Sequence, residues 1–460
     1  MRRAGGAIGT MADRTAGKGA GGKAGGFSIA RVTNYYVPLF LQSFSQCLTY
    51  PLVASIVSGG PLGVHEITAF AQGQTVMFLL GAAGGGMVTT GMVFARTREG
   101  FRAFKRLNWA MIAALLALQA AAAVPLFANW MFGTVFNMGA GMADGAEMVE
   151  HARQTLLWSV FMQAAFFFRN LPLVALLNVR ESGKANTATF VRIVLTLSLA
   201  PLFRRYGLVG HLWGLAATTA ACWIETLVTW LYARPYIRAL EPGGDPEDAS
   251  ALRQFAFTVP ISAGGILLSF TPLLSAYFIG RAADSAAALS VHYLTVGLAN
   301  AAGFGAFRMQ QVAIQFPPER PRDFRVPLYA LASGLCVACL PLAFGALHPV
   351  SEWYFCGVQG LSAGKLPMAE TVMSLYAFLP VAQSLRACAE GWAARQKKPR
   401  VIFAGQAAYF ATIVAALSGS LHFGMPGWYI GVTAILSAPA AAGATVAAGL
   451  VLANRRRAAA

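Results

Sequence analysis

Apolar runs of about 20 residues recur along nearly the whole chain, and each is long enough to cross a ~30 Å hydrocarbon layer as a helix. In lipid a segment must satisfy its own backbone hydrogen bonds, which narrows the choice of fold more than any motif does. Composition agrees: of 460 residues 57% are hydrophobic and 12% charged, where a soluble chain carries ~25% charged residues. The fold class is therefore an all-α polytopic membrane protein, surrounded by a lipid bilayer.

The pattern predicts twelve spans, near residues 32–58, 67–95, 107–132, 154–179, 187–203, 207–232, 254–280, 286–315, 326–347, 370–394, 400–421 and 427–453. Lysine and arginine test the count. The N-terminal tail, ARTREGFRAFKR (95–106), RESGK (180–184), the 234–253 loop, PPERPRDFR (317–325), RQKKPR (395–400) and Arg455-Arg456-Arg457 fall on one side and hold most of the 35 basic residues. The other side holds only Arg153, Arg204, Arg205, Arg281 and Lys365. Cytoplasmic loops carry the basic excess, so both termini read as cytoplasmic, in the inner (plasma) membrane of a cell whose Ala/Gly/Arg bias points to a GC-rich bacterium. The formal charge of +17 is thus mostly topology and gives no sign of a nucleic-acid partner. Residues 1–26 are glycine-rich, poor in leucine and without a cleavage site, and read as a disordered basic tail. Residues 27–233 then form an N-lobe, 234–253 a cytoplasmic linker, 254–454 a C-lobe and 455–460 a second basic tail.

Two halves of six spans share internal features. VPLFLQSFSQCLTYPLVASI from Val37 resembles VPISAGGILLSFTPLLSAYF from Val259, each with a second proline, Pro51 and Pro272. FRNLPLVALLNVRESGK in span 4 answers LRACAEGWAARQKK in span 10, with an arginine in mid-helix and a basic loop after it. An even number of spans per half gives both halves one orientation, related by an axis along the membrane normal, with a central cleft between two pseudo-symmetric lobes.

The charged residues inside the spans point to the chemistry. Arg169 lies eleven residues before Arg180, roughly 16 Å deep at the α-helical rise, beyond the reach of a snorkelling side chain. Arg386, nine residues before Arg395, is about 13 Å deep by the same rise. Each must face a polar cavity or a buried partner. Pro172 predicts a bend in span 4 within a turn of Arg169, and the half-repeat predicts Arg386 on the opposite wall, with an anion between the two guanidiniums. Glu390, four residues after Arg386, is also placed to pair within the helix. Arg308, with Gln311 and Gln315 on its helical face, forms a polar stripe, while Arg192 sits near enough to a loop to snorkel. Glu225 has Thr218 and Thr229 along its face and is either an arginine partner or a proton site. If these groups share one cleft, that cleft is net positive and concentrates anions. The expected substrate-binding residues are Arg169, Arg386, Arg308, Asn170, Gln42 and Gln46. Glu225, Glu390 and Arg192 are expected to serve coupling or charge pairing, with a proton or other ion as the coupled species.

Catalytic patterns are missing from the sequence. The six cysteines lie within or at the ends of apolar spans, and Cys336-x-x-Cys339 has no second pair or histidine beside it. GAAGGGM (81–87) lacks the lysine of a phosphate loop and instead permits close helix contact. No HExxH, GxSxG or carboxylate dyad occurs, and the six histidines are scattered near span ends, so no catalytic residue, resident metal or cofactor is expected.

The stretches VPLFLQSFSQCLTYPLVASIVSGG, GPLGVHEITAFAQGQTVMFLL, RNLPLVALLNVRESGKANTATFVRIVLTLSLA and ACWIETLVTWLYARP together resemble the progressive ankylosis protein family, within the multidrug/oligosaccharidyl-lipid/polysaccharide exporter superfamily. The resemblance covers roughly residues 31–454 and is strongest in the first half. It implies a twelve-helix, two-lobe transporter of the MATE-like (multidrug and toxin extrusion) fold that exports organic or phosphate-bearing anions such as nucleotides, pyrophosphate or citrate, with Arg169, Arg386 and Glu225 at positions that the family fills similarly. Span 4 departs from it, having Asn170-Leu171-Pro172-Leu173 where a glutamine–glycine pair is expected. Two relatives of the same superfamily stand as alternatives. A cation-coupled multidrug exporter needs an intramembrane acid in span 1 or 7, where span 1 offers Asn34, Gln42 and Gln46, and span 7 has no acid before Asp284. A lipid-linked oligosaccharide flippase needs a lateral groove for its lipid tails. A non-transporting scaffold leaves the buried arginines without a purpose.

Overall fold

The computed structural model describes residues 27–47, 49–136, 138, 144–282, 284–318 and 323–459; the basic tail 1–26 lies outside them. The described residues form twelve helical rods. Spans 1 to 6 are Ile29–Cys47 with Thr49–Val57, Val64–Gly81 with Met87–Phe94, Arg98–Ala122, Gly145–Trp158 with Val160–Asn178, Ser182–Arg205 and His211–Arg238. Spans 7 to 12 are Ala251–Ser269 with Thr271–Ile279, Ser285–Phe307 with Met309–Gln315, Arg325–Ala346, Leu366–Tyr376 with Phe378–Arg395, Pro399–His422 and Gly427–Ala459. Among the described residues eight rods are long and apolar enough to cross a membrane unaided, and Arg98–Ala122 with the turns after it makes a ninth bent by 70°. Spans 1, 6 and 8 fall outside that set.

Local chemistry sets several boundaries. Thr97 caps span 3 by accepting the Gly100 N–H at 3.3 Å, with Glu99 in the first turn, and Ser250 caps span 7 through Arg253 N–H at 3.3 Å. The glycines of GAAGGGM break span 2 with a single tight turn at Ala82–Gly84. A Cβ on Gly86 would stand 3.1 Å from the Thr258 carbonyl, so this break is where span 2 packs closely on span 7. Span 4, in contrast, runs helical through Pro172 and is interrupted at Ser159. The helix is not broken at Arg169, and Asn108 donates to the Phe167 carbonyl at 3.0 Å beside the one that Pro172 leaves free.

The pseudo-repeat is plainer in the structure than in the sequence. Spans 4 and 10 are interrupted at Ser159 and Ala377, and spans 2 and 8 before their last segments. Spans 3 and 9 each end in a short helix and a π-helical turn, Asn129–Val135 (NWMFGTV) and Glu352–Val358 (EWYFCGV). Phe132 and Phe355 are fully buried and Trp130 and Trp353 exposed in both. Packing follows the same rule: span 4 sits at the heart of spans 1–6 and span 10 at the heart of spans 7–12, while span 1 meets span 8 and span 7 meets span 2 across the lobe boundary.

One face gathers the basic loops. Arg98 N–H donates to Glu241 O, Gly243 N–H to Glu99, and Lys398 to Asn454 near the chain's end, while Arg325 lies 5.3 Å from the Phe27 ring near its start. On this side the two lobes share one buried core, in which Tyr35, Leu39, Met92 and Phe94 pack with Phe257, Met309, Val312 and Phe316. The cross-lobe hydrogen bonds lie here as well, including Thr90–Thr258 at 2.7 Å, Gln315 to Asn178 at 3.0 Å and Gln254 to the Gly100 carbonyl at 3.1 Å. Toward the other face the core divides. Val53, Phe70, Phe132 and Leu215 stay within the first lobe, and Val291, Phe355, Ile413 and Ile430 within the second. Among the described residues no hydrogen bond joins the lobes there. The bundle is thus sealed on the basic face and split on the opposite one.

This sidedness is testable by labelling. Ser182 is buried, so the probe belongs at its exposed neighbour, as Gly183→Cys, with Ala146→Cys on the far face. An impermeant maleimide added to intact cells should modify Ala146→Cys and leave Gly183→Cys unmodified. The reverse would invert the bundle.

Candidate functional site

Glu225 lies near the middle of span 6, about 20 Å from either end by the helical rise, and only 1% exposed. Two spans supply its partners, and a third reaches one of them. Arg169 of span 4 places Nη1 2.7 Å from Oε1, and Arg192 of span 5 donates from Nη1 to Oε2 at 3.1 Å. Thr189, one turn before Arg192, donates to Oε1 at 2.5 Å, and Gln42 of span 1 donates to that hydroxyl at 2.9 Å. A buried carboxylate is tolerable only with such paired charge and hydrogen bonding. Arg192 therefore does not snorkel as expected from sequence; it is buried against Glu225.

Arg308 approaches this centre from the other lobe. It occupies the interruption between Ser285–Phe307 and Met309–Gln315 and donates from Nε to Ser43 Oγ of span 1, next to the Gln42 that holds Thr189. The close approach of spans 1 and 8 depends on Gly305, where a Cβ would stand 2.4 Å from the Phe40 ring. Arg169 and Arg192 contact Glu225 while Arg308 is held on Ser43, so three guanidiniums and one carboxylate give the centre a formal excess of two positive charges. Arg169 keeps 13% of its side chain exposed, and Nε of Arg169 and of Arg192 have no hydrogen-bond partner among the described residues. The centre lies where the cores part: Phe167 and Leu171 of span 4 belong to the core that both lobes share, Ala165 and Cys222 to the first lobe's own. Walls of low dielectric on both sides strengthen its field.

The second lobe carries a separate site. Arg386 donates from Nε to Glu390 Oε1 at 2.7 Å within span 10, and its guanidinium lies 4.7 Å from the Tyr409 ring and 5.5 Å from that of Phe307. Arg386 Nη2 and Glu390 Oε2 have no partner among the described residues. The arginine borders a cavity of ≈ 250 Å³ that Thr271, Ser275, His292, Asn300 and Gln383 also line. The sequence-based picture sets Arg169 and Arg386 facing one another across a single cleft; the structure gives them separate partners. Each is held by an acid of its own lobe, and the guanidinium that joins Arg169 at the lobe boundary is Arg308.

Of the other expected site residues, Asn170 turns to Asn108 at 3.5 Å within the first lobe, and Gln42 reaches the Glu225 network through Thr189. Gln46 is on span 1, but its side chain lies outside the described residues. Gln311 is buried in the sealed core and Gln315 joins the cross-lobe bond to Asn178, so neither continues a stripe from Arg308. Thr189 was missed from sequence; its signal was the three-residue spacing to Arg192, which puts both on one helical face. Glu66, His151 and His211 were also missed, and they converge far from this centre.

The same architecture is found in solved transporters. A eukaryotic MATE transporter matches with a TM-score of 0.65 at 16% identity, over 92% of this chain and 95% of that one. An outward-facing multidrug resistance MATE family transporter of the MOP superfamily matches at 0.64 and 17%, over 93% and 96%. A MOP superfamily transporter from Pyrococcus furiosus, described as having a binding pocket of reverse polarity that suggests a different function, matches at 0.62 and 17%, over 93% and 95%. The fold is thus MATE-like along nearly the full length. No family model and no curated relative matches the sequence.

Proposed function

We propose that the chain is a transporter that exports small organic or phosphate-bearing anions, of the nucleotide, pyrophosphate or citrate class, by alternating access. The observation that carries this reading is the centre of Arg169, Arg192, Arg308 and Glu225 where the cores of the two lobes part. Its net positive charge attracts an anion, and the free edges of its guanidiniums offer charge-assisted hydrogen bonds. Because the centre includes residues of both lobes, an anion bound there adds attraction across the boundary, and its release removes it. Seal and split exchange faces through motion of one lobe against the other. The resemblance to the progressive ankylosis family supports the same substrate class. The Pyrococcus furiosus neighbour supports the premise that pocket polarity, more than fold, separates functions in this architecture. We place the protein in a bacterial inner membrane with both termini and the sealed face cytoplasmic, residues 27–233 and 254–454 acting as the two lobes.

Binding tests this reading. Citrate or pyrophosphate added to the detergent-solubilised protein should raise its unfolding temperature, less so as salt rises, and Arg169→Ala should abolish the shift. An equal shift in that variant would overturn the assignment of the centre. For coupling the candidate is Glu390, whose Oε2 has no partner among the described residues, and not Glu225, whose two oxygens are both engaged. Glu390→Gln should remove the dependence of uptake on a pH gradient while leaving anion exchange in place. Unchanged gradient dependence would refute coupling through Glu390.

The multidrug exporter of the same fold is the second reading, favoured by the neighbour that bears that name. It requires a cation to settle beside an excess of arginine, which the electrostatics oppose.

A further inference from the structure

Glu66, His151 and His211 meet at the split face of the first lobe, far from the arginine centre. Glu66 stands in the first turn of Val64–Gly81, His151 in Gly145–Trp158 and His211 at the start of span 6. Their ligand atoms all lie within 4.8 Å of one another. Glu66 is fully buried, with Oε1 2.5 Å from His211 Nδ1 and Oε2 3.0 Å from His151 Nδ1. The two imidazoles stack with centroids 4.1 Å apart.

The surrounding hydrogen bonds fix the tautomer of one ring. The Gln154 amide nitrogen donates to Glu150 Oε1 at 2.8 Å, and Glu150 is held by Arg153 at 2.6 and 2.7 Å. This turns Gln154 Oε1 toward His211 Nε2, 3.1 Å away, so Nε2 carries the hydrogen and donates it. In the neutral ring the lone pair of His211 Nδ1 then points at the Glu66 carboxylate, and two acceptors face each other. A second ring proton resolves the contact, and so does a metal ion that moves the two groups out of hydrogen-bonding distance.

We propose that the site takes a metal ion, a divalent transition metal of the zinc type, bound by Glu66, His151 and His211. Two imidazoles with one carboxylate suit zinc, and the donation from His211 Nε2 to an amide oxygen is the outer hydrogen bond that fixes a ligating histidine. The cradle is built closely. A Cβ on Gly60 would stand 2.8 Å from Glu66 Cδ and from Gly210 Cα, and Gly210 has φ +104, which favours glycine. Gly210 N–H donates to Ile56 O at 2.9 Å. A metal here fastens spans 2, 4 and 6 and their connecting loops into one end-piece, giving the first lobe a rigid rim while the lobes move. The inference does not depend on the anion reading.

The test uses the untagged full chain, stripped with a chelator and equilibrated in zinc buffer. Elemental analysis should find a single zinc per chain, and zinc should raise the unfolding temperature by about 5 °C. His151→Ala and Glu66→Gln should each lose the metal while keeping the helical circular dichroism of the parent. Cobalt in place of zinc should give visible ligand-field bands that His211→Ala removes, a readout that a purely structural hydrogen bond would not supply. Absence of bound zinc, zinc retained by all three variants, or stabilisation by acid alone without metal would each overturn the proposal, the last assigning the site to protons.

Discussion

Glu225→Leu should destabilise the protein by about 3–5 kcal/mol, since removing one member of a buried charge network leaves the others uncompensated. Arg169 and Arg192 both direct a guanidinium at that carboxylate, and leucine offers neither of them an acceptor. Thr189 also loses the acceptor of its 2.5 Å bond. The loss should be partly recovered in Glu225→Leu/Arg192→Leu, where one stranded cation is removed as well. Glu225→Gln should fall between the parent and Glu225→Leu. Denaturant unfolding in detergent reads all four proteins. A cost below about 1 kcal/mol for Glu225→Leu, the range of an exposed ion pair, would show that water reaches the network freely.

Arg169→Ala should produce the largest loss of transport with the protein still folded, because Arg192 remains to hold Glu225. A hydrogen bond to a charged group contributes about 1.5–3 kcal/mol, which corresponds to a roughly 10- to 150-fold fall in apparent affinity for an anion. Arg169→Lys should recover part of it, keeping the charge and losing the fork. Arg386→Ala should cost less, since that arginine is sequestered with Glu390 beside its own cavity. Equal losses for Arg169→Ala and Arg386→Ala would restore the picture of two arginines sharing one substrate.

The sequence exposed the helical class, the even number of spans and the side of the basic loops, because each follows from hydropathy and charge along the chain. It also exposed Arg169 and Arg386 as groups that must face protein or water, and Glu225 as an arginine partner or a proton site. Their partners were hidden in the packing of spans 4, 5, 6 and 8. Arg192 looked close enough to a loop to escape the membrane, yet the face of span 5 that carries Thr189 and Arg192 turns inward to Glu225. Pro172 pointed to a bend near Arg169, while the interruption of span 4 falls at Ser159, a position without a proline or glycine to announce it. The turns NWMFGTV and EWYFCGV show the repeat more clearly than the spans do, because their buried Phe and exposed Trp recur while lipid-facing positions drift among apolar residues. His151 and His211 are 60 residues apart in the numbering, and only the fold brings them to one carboxylate.

The central claim is that the MATE-like scaffold here carries an anion. Uptake into proteoliposomes tests it most directly, with labelled citrate, pyrophosphate and a nucleotide set beside a lipophilic organic cation under the same gradients. The account predicts saturable uptake of at least one of the anions, lost in Arg169→Ala, and no uptake of the cation above that of protein-free vesicles. Cation uptake that is unaffected by Arg169→Ala, with none of the anions taken up, would contradict it.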